Sequence, residues 1–229
     1  MRPLRFSLMS RFLPLLLGSL MLVVLPADAA SLLGRMEGDT YVSANGEFRV
    51  RAPVLPELGG QIEDSESVVT FHDDFGTHVS IACFEMDATQ RWESDTRGLR
   101  DYLLYFFTDI VMANFNTRFP GSKVESARYL PELLDGALVA YSLLPGGSNF
   151  ENQDSTPGST PRDPVTAKRG TLLFVRHRHV YAISIEIAER ATQRTTYHQT
   201  IEQEDEQLSG RLTTLAGRMT FTRDQPRKP

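Results

Sequence analysis

His72 and His78 bracket two adjacent acids, Asp73 and Asp74, in a short segment closed by Gly76. Imidazole nitrogen and carboxylate oxygen are the ligands that zinc and copper take, so a hairpin placing His72 and His78 opposite each other, with Asp73 or Asp74 at the turn, would offer a three-ligand metal site. Such a site would suit a small hydrolase or another metal-dependent enzyme. The competing reading is a pair of solvated histidines on a polar sheet face, which Thr70 and Ser80 continue. Asp74-Phe75-Gly76 repeats the letters of the kinase metal-binding motif without the rest of that set, and reads as a turn. His177 and His179 alternate with Arg176 and Arg178, either as a small basic contact patch or as an exposed turn. His198 has no assigned role.

The common catalytic signatures are missing: there is no Gly-x-Ser-x-Gly elbow, no His-Glu-x-x-His and no glycine-rich phosphate loop. Cys83 is the single cysteine, which excludes an intrachain disulfide framework and a Cys-x-x-Cys redox centre. It alternates in phase with Val79 and Ile81, which predicts a thiol buried on an apolar strand face. No cofactor is expected.

A second candidate is apolar. A helix predicted from about Asp95 to Arg118, entered past Ser94 and Asp95, carries a core face of Leu99, Tyr102, Leu103, Phe106, Ile110 and Ala113 at helical spacing. Beside it runs another row, Leu104, Phe107, Val111 and Phe115. That row either packs under the protein's own chain or waits for a protein partner. Trp92, just before this helix, reads as a packing residue.

The elements that must position these groups begin with a hairpin, Tyr41-Val42 to Phe48-Val50, around Asn45-Gly46. Residues 30 to 40 read as a leader into it, and Gly59-Gly60 opens a loop. A second hairpin joins Val68 to His72 with Val79 to Phe84 around residues 73 to 77. That turn sets His72 opposite His78, Phe71 opposite Val79, Thr70 opposite Ser80 and Val69 opposite Ile81. After the helix come strand-like runs at 123 to 129 and 137 to 144, and then a stretch from 146 to 166 rich in Pro and Gly that predicts a long flexible loop. A third hairpin crosses His177-Arg178-His179. A last helix near 196 to 217 has Ile201, Leu208, Leu212 and Leu215 as its inner stripe, and residues 223 to 229 are expected to fray.

The N-terminus carries an address. Basic Arg2, Arg5 and Arg11 precede an apolar run from Phe12 to Leu25, followed by Ala27-Asp28-Ala29. These are the three regions of a secretory signal peptide, with cleavage predicted after Ala29. The apolar run is shorter than the roughly 20 residues of a membrane span. Export to the periplasm or medium is expected, with no stable membrane insertion after cleavage. Among the 229 residues, 24 basic side chains face 29 acidic ones, a formal net charge of −5, so no broad basic surface for nucleic acid is present.

Strands, a long helix, more strands and a closing helix predict an α+β fold over residues 41 to 222, a mostly antiparallel sheet with two helices packed on it. This order, with the opening Tyr41, Gly46 and Phe48 followed by prolines, resembles the PsbP-like α/β sandwich superfamily. The resemblance implies an interaction role and supplies no functional residue. The expectation is therefore an exported, non-catalytic binding or accessory protein that meets a protein or envelope partner. The alternative is the metal-dependent enzyme on the His72/His78 hairpin.

Overall fold

The computed structural model describes residues 32–150, 164–193 and 195–224. The predicted signal peptide, most of the 146 to 166 stretch and the residues past 224 lie outside them. The strands, in chain order, are β1 (Arg35–Glu37), β2 (Thr40–Val42), β3 (Phe48–Arg51), β4 (Gln61–Asp64), β5 (Val68–His72), β6 (His78–Glu85), β7 (Lys123–Leu130), β8 (Ala137–Pro145), β9 (Thr166–Arg176), β10 (His179–Glu186) and β11 (Met219–Phe221). The helices are α1 (Ala88–Arg97), α2 (Leu99–Tyr105), α3 (Met112–Arg118), α4 (Glu189–Thr192) and α5 (Ile201–Gly217).

Among the described residues these strands form two antiparallel sheets, one in the order β4-β5-β6-β10-β9-β8-β7 and a smaller one in the order β1-β2-β3-β11. The chain is therefore an α+β fold. Side chains alternate across a strand, so the large sheet buries both faces. Leu138, Leu173 and Val180 meet Tyr102, Leu103, Phe106 and Met112 of the long helical arm. Val139, Leu172, Phe174 and Ile183 meet Leu208 and Leu212 of α5 and Tyr41, Phe48 and Val50 of the small sheet.

The hairpin registers follow from turn chemistry. His72 pairs with His78, Phe71 with Val79, Thr70 with Ser80 and Val69 with Ile81, as the turn length requires. The β9–β10 turn is two residues long, with His177 and Arg178 both at positive φ, which matches the twist of the flanking strands. Cys83 is buried on β6.

Several expectations are corrected. The leader at 30 to 40 contains β1, which pairs with β2. The loop after Gly60 contains β4, an edge strand whose polar sequence hides its pairing with β5. The first helix starts earlier, at an Asp87 cap whose side chain accepts from Gln90 N–H at 2.8 Å, with the Gln90 side chain answering in a capping box. Trp92 is 61% exposed rather than packed. Gly146 to Phe150 is anchored to the sheet, and Phe150 is buried.

The long arm is not one α-helix. Gly98 breaks it, and Phe106–Val111 forms a π-helical turn between α2 and α3. A π-turn inserts extra chain and rotates everything after it. Met112 therefore takes the core place expected of Ala113, which is exposed. The apolar row is covered too: Phe107 is only 1% exposed, and Leu104, Val111 and Phe115 are half-buried against the same cluster. The row belongs to the core.

Candidate functional site

The His72/His78 hairpin brings two imidazoles together and leaves the acids elsewhere. The rings stack with centroids 6.3 Å apart, and His72 Nε2 lies 3.6 Å from Glu63. Asp73 is consumed by its own turn, where its Oδ1 accepts the N–H groups of Phe75 at 2.9 Å and Thr77 at 2.8 Å. Burial alone would raise the Asp73 carboxyl, but these donors outweigh it and hold the group low. Asp74 leans toward Gly59, where an added Cβ would sit 2.9 Å from its carboxylate. Among the described residues no group of three or more His, Cys, Asp or Glu is placed to hold a metal ion. The His78 ring instead meets Phe150 edge-on, and burial, then the Arg169 charge, push its pKa down to about 4.

Behind that turn, α4 and α5 leave a cleft of about 780 Å³. Phe75 and Pro53 stand at one side, with His78, Glu189, Gln207 and Arg211 among the other walls. Glu189 Oε1 accepts from Gln207 Nε2 at 3.0 Å and from Arg211 at 2.6 Å. Burial raises the Glu189 carboxyl and Arg211 more than offsets it, so the group stays ionised. The wall is thus a fixed polar clamp. The rim is apolar: Phe75 is 75% exposed, held at the tip of a turn whose backbone Asp73 pins. The Asp74–Gly59 approach sets the 3-10 turn Pro56–Leu58, with exposed Leu55 and Leu58, next to that tip.

A second polar feature lies inside the sheet. β9 carries Lys168 and Arg169 on opposite faces. Lys168 faces α5, fully buried, with Nζ 2.5 Å from Glu125, 2.6 Å from Asp205 and 3.1 Å from Glu204. Glu204 also receives Arg190 at 2.6 Å and the Tyr197 hydroxyl at 2.9 Å. Arg169 faces the other way, donating to the Gly147 carbonyl at 2.9 Å beside buried Glu186. Glu186 in turn accepts from Ser148 Oγ at 2.6 Å and from the Asn149 backbone at 3.1 Å, which seats the Gly146–Phe150 segment.

Sequence reasoning missed the cleft because its walls come from distant segments. The available signal was Phe75, an aromatic in a turn with no alternating partner. It missed Lys168 because that residue falls between the predicted loop at 146 to 166 and the predicted third hairpin, whereas β9 already starts at Thr166, and it took exposed Ile201 for an inner position that Glu204 occupies.

Among the described residues no helix is long and apolar enough to cross a membrane. No protein-family model matches the chain, and no curated protein matches it in sequence. Solved structures do. A crystal structure from Bacteroides thetaiotaomicron is 9% identical with a TM-score of 0.44, covering 85% of this chain, which spans about half, 52%, of that one. Mog1p, a Ran-binding protein of Saccharomyces cerevisiae, is 11% identical with a TM-score of 0.44, covering 81% of this chain and 96% of its own. Cyanobacterial PsbP from Synechocystis is 12% identical with a TM-score of 0.47, covering 82% of this chain and 98% of its own. Solved structures to which this chain is similar in fold thus include PsbP and Mog1p.

Proposed function

We propose that this is an exported, non-catalytic binding or accessory protein of the cell envelope, and that it holds a protein partner at the cleft beneath Phe75. The observation that carries the reading is the exposed Phe75 ring on a turn that Asp73 pins, lining a cleft. Aromatic side chains fixed in this way bury much area at little entropic cost, the usual character of an interface anchor. The basic, apolar and Ala-x-Ala segments at the N-terminus support export. Against the metal-enzyme alternative on the same hairpin stands the commitment of the Asp73 carboxylate to its own turn.

The test is a photo-crosslinking residue at position 75 in cells, with a control at exposed Asp95 on α1. The reading expects a discrete adduct from position 75 alone, in the exported fraction, on a chain whose N-terminus is Ala30. Retention in the cytoplasm, or the same adducts from both positions, would sink it.

A further inference from the structure

The far edge of the large sheet is open. β7 ends the strand order and pairs with β8 alone among the described strands, and most of its residues are exposed. An antiparallel edge presents unpaired N–H and C=O groups that an extended segment can complete. Proteins blunt such edges with lysines and bulges, and the first part of β7 has both: Lys123 and a bulge between Val124 and Ser126. Beyond the bulge, Ser126 to Leu130 pairs one-to-one with Tyr141 to Ala137 and is regular.

The bulge does more than guard the edge. It turns consecutive residues toward α5, so Glu125 reaches Lys168 and Ser126 Oγ donates to Asp205 at 3.1 Å. α5 presses on the middle of the sheet, where a Cβ on Gly170 would lie 3.0 Å from Leu212. Between helix and edge this leaves a groove of about 620 Å³, floored by Ser126, Arg128 and Tyr141 and walled by Glu202, Glu206 and Thr213. The ties through Lys168 and Ser126 fix its width before anything binds.

Its charge selects the occupant. Glu202, Asp205 and Glu206 line the helical wall against one cation, Arg128, on the floor. Lys168 beneath is already surrounded by Glu125, Glu204 and Asp205. We propose that an extended, cationic segment of a partner polypeptide adds to β7 as a further strand, its alternate side chains entering this groove toward Glu202 and Glu206. The groove shares Glu206 and Gly210 of α5 with the cleft under Phe75, but the proposal does not rest on that cleft.

Fluorescence anisotropy of the mature chain with a labelled peptide alternating Lys and Val tests this, against a Glu-Val counterpart and a Lys-Val peptide N-methylated at alternate residues. The Lys-Val peptide is expected to bind. Glu202→Lys and Thr213→Tyr should each weaken it about tenfold, and Phe75→Asp should leave it unchanged. The Glu-Val and N-methylated peptides should fail. Thermal melts confirm that each variant folds. Absence of Lys-Val binding, equal binding of either control peptide, or indifference to both groove variants would overturn the proposal. So would sedimentation showing dimers that Thr213→Tyr abolishes, since the occupant would then be a second copy.

Discussion

The ammonium of Lys168, near the start of β9, lies 2.6 Å from the carboxylate of Asp205 in the first turns of α5, with none of the lysine side chain exposed. Glu125 and Glu204 complete its surroundings, so strand β7, strand β9 and helix α5 share one charge cluster. Bringing these ions out of water is costly, and the cluster holds only while every member has a partner.

Lys168→Met removes the one cation common to three carboxylates. A loss of about 3–5 kcal/mol is expected, the usual cost of stranding a buried charge. Urea unfolding measures it. The pH profile carries the same signature. Burial works against the Lys168 charge, but its three partners outweigh that and hold its pKa above 10.5. Its contribution is complete below that value and fades as pH rises past it. Glu204 behaves in reverse: Arg190 and Lys168 hold it below 4.5 against burial, so its contribution fades in acid.

His78 predicts a separate slope. Burial first, then the neighbouring charges of Arg169 and His72, hold it near pH 4 instead of 6.5. The unfolded chain takes up a proton in that window that the folded chain refuses, so stability falls as pH falls from 6.5 toward 4. His78→Phe should flatten the unfolding free energy across the window. An unchanged slope would mean that His78 is protonated in the folded state.

Glu186→Ala should release the Gly146–Phe150 segment, because one carboxylate accepts from both Ser148 and Asn149 and also lies beside Arg169. Leaving Arg169 without that partner costs about 3–5 kcal/mol. Hydrogen exchange at the Asn149 amide should accelerate more than at β8, which its neighbours hold by backbone pairing.

Two aspartates placed on phenylalanines separate surface from core. Phe75→Asp should change stability by no more than about 0.5 kcal/mol while abolishing co-purification of the protein that the position-75 crosslinker captures. Phe107→Asp puts a charge among Leu103 and Met112 and should unfold the domain, since even Phe→Ala in a core costs about 3–5 kcal/mol. Thermal melts of both variants decide the matter.

Local rules made the hairpins legible. The residues between His72 and His78 allow one register, and alternation then places Val69, Phe71, Val79 and Ile81 on the core face. What escaped the sequence depended on distant chain. Gln61 to Asp64 becomes a strand because β5 is there to pair with, and no pattern of its own announces it. Helical spacing assumed an unbroken 3.6-residue period, which the π-turn at Phe106–Val111 violates, so Met112 and Ala113 exchanged roles. Charged Lys168 and Glu204 sit at inner positions because each is the other's reason for being there. The cleft under Phe75 was hidden for a similar cause, since Glu189, Gln207 and Arg211 converge only when α4 and α5 dock.

The small sheet joins the two ends of the described chain. β3 pairs with β11, and Arg223 reaches Glu47 at 3.0 Å across 176 residues of sequence. Its β2–β3 turn brings Asn45 to the thiol of Cys83, which burial makes harder to ionise. A pairing that spans so much chain is slow to close. Cys83 is therefore a built-in clock: the rate at which a thiol reagent labels it under native conditions counts the openings that uncover this shared core, without any engineered probe.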